Sequence, residues 1–209
     1  MHAFETLLKR SAAAHGHLCP GQVVGVRMAM LGCRLIGLDN PAGCREQIKK
    51  LLVYVEMDRC TADAVAHVTG VKLGRRSLKF MDYGIMAATF VNLETGQAYR
   101  VISTEDSRDL CDVYAPEIAD QREQQLTAYQ RMPESVLFRV QSVHVAVDEL
   151  DLPGPTRQKV TCTRCGQVVR DGRHRMESGR PVCRLCAGQG YFSHAREITW
   201  PGMDQSPAI

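Results

Sequence analysis

Four of the chain's nine cysteines form a tight set: Cys162-x-x-Cys165, seventeen residues, then Cys183-x-x-Cys186. Two residues between paired thiolates let both sulfurs reach one ion, as tetrahedral coordination with Zn–S near ~2.3 Å requires. The spacing predicts a structural zinc site, closed by four sulfurs and without an open position for chemistry. Gly166 permits the tight turn of the first pair, and Cys183-Arg184-Leu185-Cys186 is expected to open a short helix. The surrounding segment has too few large apolar residues to bury a core, so metal must supply much of its folding energy.

A second constellation is His15-Gly16-His17-Leu18-Cys19-Pro20-Gly21, with two imidazoles and a thiol at alternate positions. In an extended segment these would project to one side, and both ligand types suit zinc and related transition metals. A helix starting at Pro20 would favour the Cys19 thiolate through its N-terminal field. Cys60 echoes the arrangement: it follows a buried strand and stands at the start of a helix, preceded by Glu56, Asp58 and Arg59. His15, His17 and Cys19 are thus candidates to surround a second transition metal or a reactive-thiol pocket, and Cys60, with Asp58 as a polar neighbour, is an independent candidate for the same chemistry. Three ligands would leave one position for water or a ligand, and His15 would then orient His17 from behind. Plainer roles compete: a helix-capping histidine, a small buried Cys60, or Glu56 and Asp58 pairing with Arg59. Cys33, Cys44 and Cys111 read as ordinary small apolar residues.

The elements that must position these groups are legible as patterns. Phe4 to Ala14 reads as a helix with Phe4, Leu7, Leu8 and Ala12 on one face. A second helix is expected from Pro20, a favoured first-turn residue, to about Leu38. Val24, Met28, Leu31, Leu35 and Leu38 form its core stripe; Gly21, Gly25, Ala29 and Gly32 form a second stripe of small residues. Such a stripe permits close helix contact and suggests a homodimer, the commonest closed oligomer, or tight packing within one chain. Leu51–Glu56 reads as a buried strand and Thr61–Thr69 as a helix. Three short strands follow around Leu78–Met81, Met86–Asn92 and Tyr99–Ser103, with a turn at Glu94-Thr95-Gly96-Gln97. Residues 106–131 read as largely helical, and Val136–Val147 as one long strand. Helices and strands mix without strict alternation, which indicates the α+β class.

Charge divides the chain where the cysteine pattern does. Residues 156–196 hold nine basic residues against Asp171 and Glu177, while the whole chain has a formal charge of +3. Pro153-Gly154-Pro155 reads as the linker, giving a core domain over 1–155 and a four-cysteine finger with its tail over 156–209. The basic finger suits a protein partner; nucleic acid is a less favoured alternative. No run approaches the ~20 apolar residues of a membrane span. The N-terminus lacks the basic and apolar regions of a signal peptide, so a cytoplasmic protein with reduced thiols is expected. P-loop, dinucleotide, serine-nucleophile and His-Glu-x-x-His signatures are absent from the sequence, as is the closely spaced cysteine run of an iron–sulfur protein.

Ordered segments carry a resemblance. They are His15-Gly16-His17-Leu18-Cys19-Pro20-Gly21, Val55-Glu56-Met57-Asp58-Arg59-Cys60-Thr61-Ala62-Asp63-Ala64, and Thr69-Gly70-Val71-Lys72-Leu73-Gly74, followed by Asp82-Tyr83-Gly84 and Ala87-Ala88-Thr89-Phe90. Together they resemble the formylmethanofuran dehydrogenase E-subunit family over roughly residues 10–147. The resemblance implies an α+β core with a mixed sheet, a treble-clef zinc finger appended in some members, and convergence of His15, His17, Cys19 and Cys60 on one metal-capable site. Val71 and Ile85 stand where many members have cysteine and lysine. The function implied is a metal-binding protein, accessory to redox or one-carbon metabolism. The alternative is a non-catalytic metal or ligand sensor whose finger carries the response to a protein or nucleic acid.

Overall fold

The computed structural model describes residues 2–198; the end of the finger's tail, from 199, lies outside them. The chain divides into two units, residues 1–154 and the residues from 155 on. The first unit opens with helices α1 (Phe4–His15), α2 (Pro20–Leu35) and α3 (Arg45–Lys50), then strand β1 (Leu51–Val55) and α4 (Cys60–Thr69). Strands β2 (Leu78–Phe80), β3 (Ala87–Asn92) and β4 (Ala98–Ser103) follow. Helical segments α5 (Asp106–Asp109), α6 (Cys111–Tyr114), α7 (Gln121–Arg131) and α8 (Glu134–Leu137) lead to β5 (Phe138–Ser142).

These strands make one mixed sheet in the order β2-β1-β3-β4-β5. β1 runs parallel to β2 and antiparallel to β3, and the remaining pairs are antiparallel. A parallel pair needs a crossover, and α4 supplies it. One sheet face, with Val53, Val55, Ala88, Phe90 and Val101, packs on buried residues of α2 and α4. The other carries Leu52, Val91 and Ala98 under Val143, Val145 and Val147. This accounts for one departure from the sequence pattern. The expected strand over 136–147 is a helical turn, then β5, then irregular chain whose alternate valines cover the back of the sheet. The expected helix over 106–131 is likewise broken into α5, α6 and α7, with residues 115–120 irregular.

α2 is apolar on nearly all sides, as a central helix must be. Val23, Val26, Met28 and Ala29 are wholly buried. Its small-residue stripe is consumed within the chain. A Cβ at Gly25 would come within 2.6 Å of Ala64 Cβ and of the Thr61 carbonyl oxygen, and one at Gly32 would run into the Phe90 ring. The stripe thus seats α4 and β3 against α2, and it is no argument for contact between two copies. Among the described residues no helix is long and apolar enough to cross a membrane.

The second unit holds two hairpins: β6 (Lys159–Thr161) with β7 (Val168–Arg170), and β8 (His174–Glu177) with β9 (Arg180–Cys183). Cys162 and Cys165 lie in the turn of the first hairpin, and Cys183 ends β9. The helix expected to open at Cys183 is replaced by turns over 184–188. The described residues therefore show a cysteine knuckle and a hairpin, without the helix that would complete a treble clef.

Candidate metal centre

In the second unit, the ligand atoms of Cys162, Cys165, Cys183 and Cys186 all lie within 4.8 Å of one another. The Cys165 and Cys183 sulfurs are 3.8 Å apart. Four sulfurs at ~2.3 Å from one central ion would stand roughly 3.8 Å apart at the corners of a tetrahedron, so the spacing suits such an ion. The backbone N–H of Cys183 donates to the Cys162 sulfur, and that of Cys186 to the Cys183 sulfur, both at 3.3 Å. The Cys183 N–H is the main reason the Cys162 thiol is pulled down to about 6. Hydrogen bonding with the Cys183 and Cys165 thiols pushes Cys186 up to about 12.

The core group is assembled by a turn between helices rather than by an extended segment. His15 is the last residue of α1, and Gly16 caps it in the left-handed conformation, φ 98°, donating its N–H to the Ala12 carbonyl. A side chain at Gly16 would be strained even though space around it is open. Three residues later Cys19 is the N-cap of α2, 8% exposed, with Pro20 as the first helical residue. This tight reversal brings the ligand atoms of His15, His17 and Cys19 within 4.8 Å of one another. The two imidazole rings sit 4.9 Å apart, tilted by 40°.

His15 Nδ1 lies 3.1 Å from Oδ2 of Asp63 on α4. Its other nitrogen, Nε2, is buried and has no hydrogen-bond partner. With Nδ1–H donated to a carboxylate, Nε2 presents a lone pair, the state in which imidazole binds a metal. Asp63, not Asp58, is thus the carboxylate that touches the group, and it holds His15 itself. Asp58 is exposed in the loop before α4. Cys60, the first residue of α4, stands beside the three-residue group. Burial is the larger cause holding its thiol above the ordinary range, and hydrogen bonding with the Cys19 thiol is the next. Glu56 pairs with Arg100 rather than Arg59, in two bonds of 2.7 and 2.6 Å, and so is spent on the sheet.

A second residue that sequence reasoning passed over is Gln22, wholly buried in α2. Its amide donates to the Cys60 carbonyl at 2.8 Å and accepts from Ser11 Oγ at 2.5 Å. Thr61 Oγ1 donates to the Gly21 carbonyl at 3.1 Å. These bonds tie α1, α2 and the start of α4, the three segments that bear the ligands. The signals were present: Asp63 lies one turn beyond Cys60, and Gln22 is a lone amide in an apolar run. A cleft of about 470 Å³, lined by Ser11, His15, Asp63, His67, Val71 and Lys72, runs past the His15–Asp63 pair.

Residues 14–144, which include every member of the core group and Asp63, match the family described as FmdE, molybdenum formylmethanofuran dehydrogenase operon. The chain belongs to the FmdE family. In fold it is similar to a tungsten formylmethanofuran dehydrogenase E-subunit (FmdE)-like protein from Syntrophus aciditrophicus. That match has a TM-score of 0.58 at 17% identity and covers 92% of this chain and 96% of the other. A relative from Archaeoglobus fulgidus, described as a probable S-adenosyl-L-methionine-binding protein, is 28% identical over 211 residues. The alignment takes in 92% of this chain but 55% of that relative, so the chain spans about half its length. The FmdE family match stops at 144, so the four-cysteine finger lies outside it.

Proposed function

We propose that this FmdE protein carries two metal ions of different purpose. In the core unit His15, His17 and Cys19 hold one transition-metal ion, Asp63 fixes the orientation of His15, and Cys60 offers a neighbouring thiol. In the second unit four cysteines hold a structural zinc. The observation that carries the core reading is His15, whose Nδ1 is held by a carboxylate, whose buried Nε2 has no partner among the described residues, and whose ring lies 4.9 Å from that of His17. Three protein ligands leave one position on a tetrahedral ion, and a bound ion would polarise a water or small ligand there. The 470 Å³ cleft lets a small molecule approach the edge of this group. The family's description, by a formylmethanofuran dehydrogenase operon, supports a role as an accessory to redox or one-carbon chemistry, and a reducing cytoplasm would keep the thiols free for it.

Cobalt substitution tests the core reading. Full-length Cys183→Ser protein, loaded with Co(II) under reducing conditions, should keep a thiolate-to-cobalt absorption band that either Cys19→Ala or His17→Ala removes. A protein in which Cys183→Ser alone abolishes all such absorption has no core site.

A further inference from the structure

The first unit contains a cavity of about 750 Å³ that shares no residue with either metal group. It lies between α3, the turn after α4 and the chain just before residue 155, and its wall includes Arg45, Ile48, Lys49, Arg75 and Ser77. The volume falls within the roughly 300–1,000 Å³ of small-molecule sites.

Its charge is one-sided. Three cations line it, and no carboxylate does. The residues around it show that this is selective. Lys50, next along α3, is paired with Glu94 at 2.7 Å. Arg76 donates to the Leu150 carbonyl, and Lys79 lies 3.4 Å from the Asp151 carboxylate. Arg45, Lys49 and Arg75, the members facing the cavity, form no ion pair among the described residues. The nearest carboxylate on α3, Glu46, accepts from the Cys44 thiol and is not in the wall.

The turn that presents Arg75 is firmly built. The Arg75 N–H donates to the Lys72 carbonyl, the Arg76 N–H to the Leu73 carbonyl, and the Lys72 N–H to Ser77 Oγ. Arg76 takes a left-handed backbone, φ 61°, a conformation that costs a non-glycine residue of order ~1 kcal/mol. That reversal sends Arg76 towards Leu150 and leaves Arg75 in the cavity wall. Ile48, half-buried and packed on the main core, gives the same cavity an apolar surface.

We propose that this cavity binds a phosphate-bearing small molecule, with the phosphate between Arg45, Lys49 and Arg75 and the organic part against Ile48. Guanidinium groups match phosphate oxygens through paired hydrogen bonds, and a third cation suits a multiply charged group.

Calorimetric titration of the full-length protein with inorganic phosphate, inorganic pyrophosphate, AMP and citrate tests this. AMP and pyrophosphate should bind one site, AMP more tightly than inorganic phosphate because Ile48 contacts the organic part. Arg45→Ala and Arg75→Ala should each weaken binding by about tenfold or more, the loss expected for a charge-assisted hydrogen bond. Both residues are exposed, so these variants should melt like the parent. Lys9→Ala, at an exposed cation on α1, should leave binding unchanged. The proposal is overturned by no binding of any phosphate probe, by affinity retained in the Arg45/Arg75 double variant, by an equal loss in Lys9→Ala, or by citrate binding more tightly than every phosphate. Metal content should be the same in all these variants, which separates this site from the metal groups.

Discussion

Cys19 sits at the edge of a core in which Val23, Val26, Met28, Val53 and Phe90 are wholly buried. Among the described residues of the second unit, the buried cluster is Cys162, Cys183 and Val182, with a few half-buried neighbours. The donor chemistry is similar, but the order of causes is reversed. In the core unit, helix packing and the Gln22 hydrogen bonds position the candidate donors by themselves, so a metal held there as proposed would be free to serve chemistry. In the finger, little apolar area opposes the conformational entropy of the chain, and the proposed ion would itself provide the contacts. Under this proposal the number and closure of ligands follow the same division: four sulfurs with no vacancy in one, three donors and a spare position in the other.

The largest effect should come from removing a finger ligand. Cys183→Ser should abolish hydrogen-exchange protection across residues 160–190 while leaving the thermal transition of the core unit in place. A finger that stays protected without metal would erase the contrast. Next in size, Asp63→Asn should lower core metal affinity by about 10–100-fold, the usual cost of losing a carboxylate behind a ligating histidine. Competition with a chromogenic chelator measures it, and the finger metal should not change. Gly25→Ala should destabilise the core unit by about 1–3 kcal/mol in urea unfolding, since the added methyl meets Ala64 and Thr61 at 2.6 Å and two helices must part. The smallest expected signal is in protons. Zinc uptake by the metal-free finger at neutral pH should release them, because thiols of a chain that is unfolded without metal are mostly protonated at about pH 7 and all four must ionise to bind. Finger loading should accordingly fall steadily as pH is lowered from neutrality.

Much of this comparison was legible in the sequence, for physical reasons that differ by region. The finger's ligands are close in sequence, so spacing alone named them. The helix expected at Cys183 did not form, because a turn at 184–188 suffices once the knuckle is closed. In the core, periodicity located α1, α2, β1 and α4 to within a few residues, and the family motifs joined His15, His17, Cys19 and Cys60. What the pattern missed was long-range. Asp63 reaches His15 from another helix, and Gln22 reaches Cys60 across the α2–α4 contact. The small-residue stripe looks equally open to a second copy in sequence, and only the positions of Ala64 and Phe90 show it filled from within the chain. The valines at 143, 145 and 147 alternate like a strand, yet they cover a sheet face without joining a ladder.

Metal content per chain, measured after purification under reducing conditions for the parent protein, Cys183→Ser and His17→Ala, tests the two-site reading most directly. Two ions are expected in the parent and one in each variant. The ion left in Cys183→Ser should be lost when His17→Ala is added. A parent with a single ion that disappears entirely in Cys183→Ser, and is untouched in His17→Ala, would contradict it.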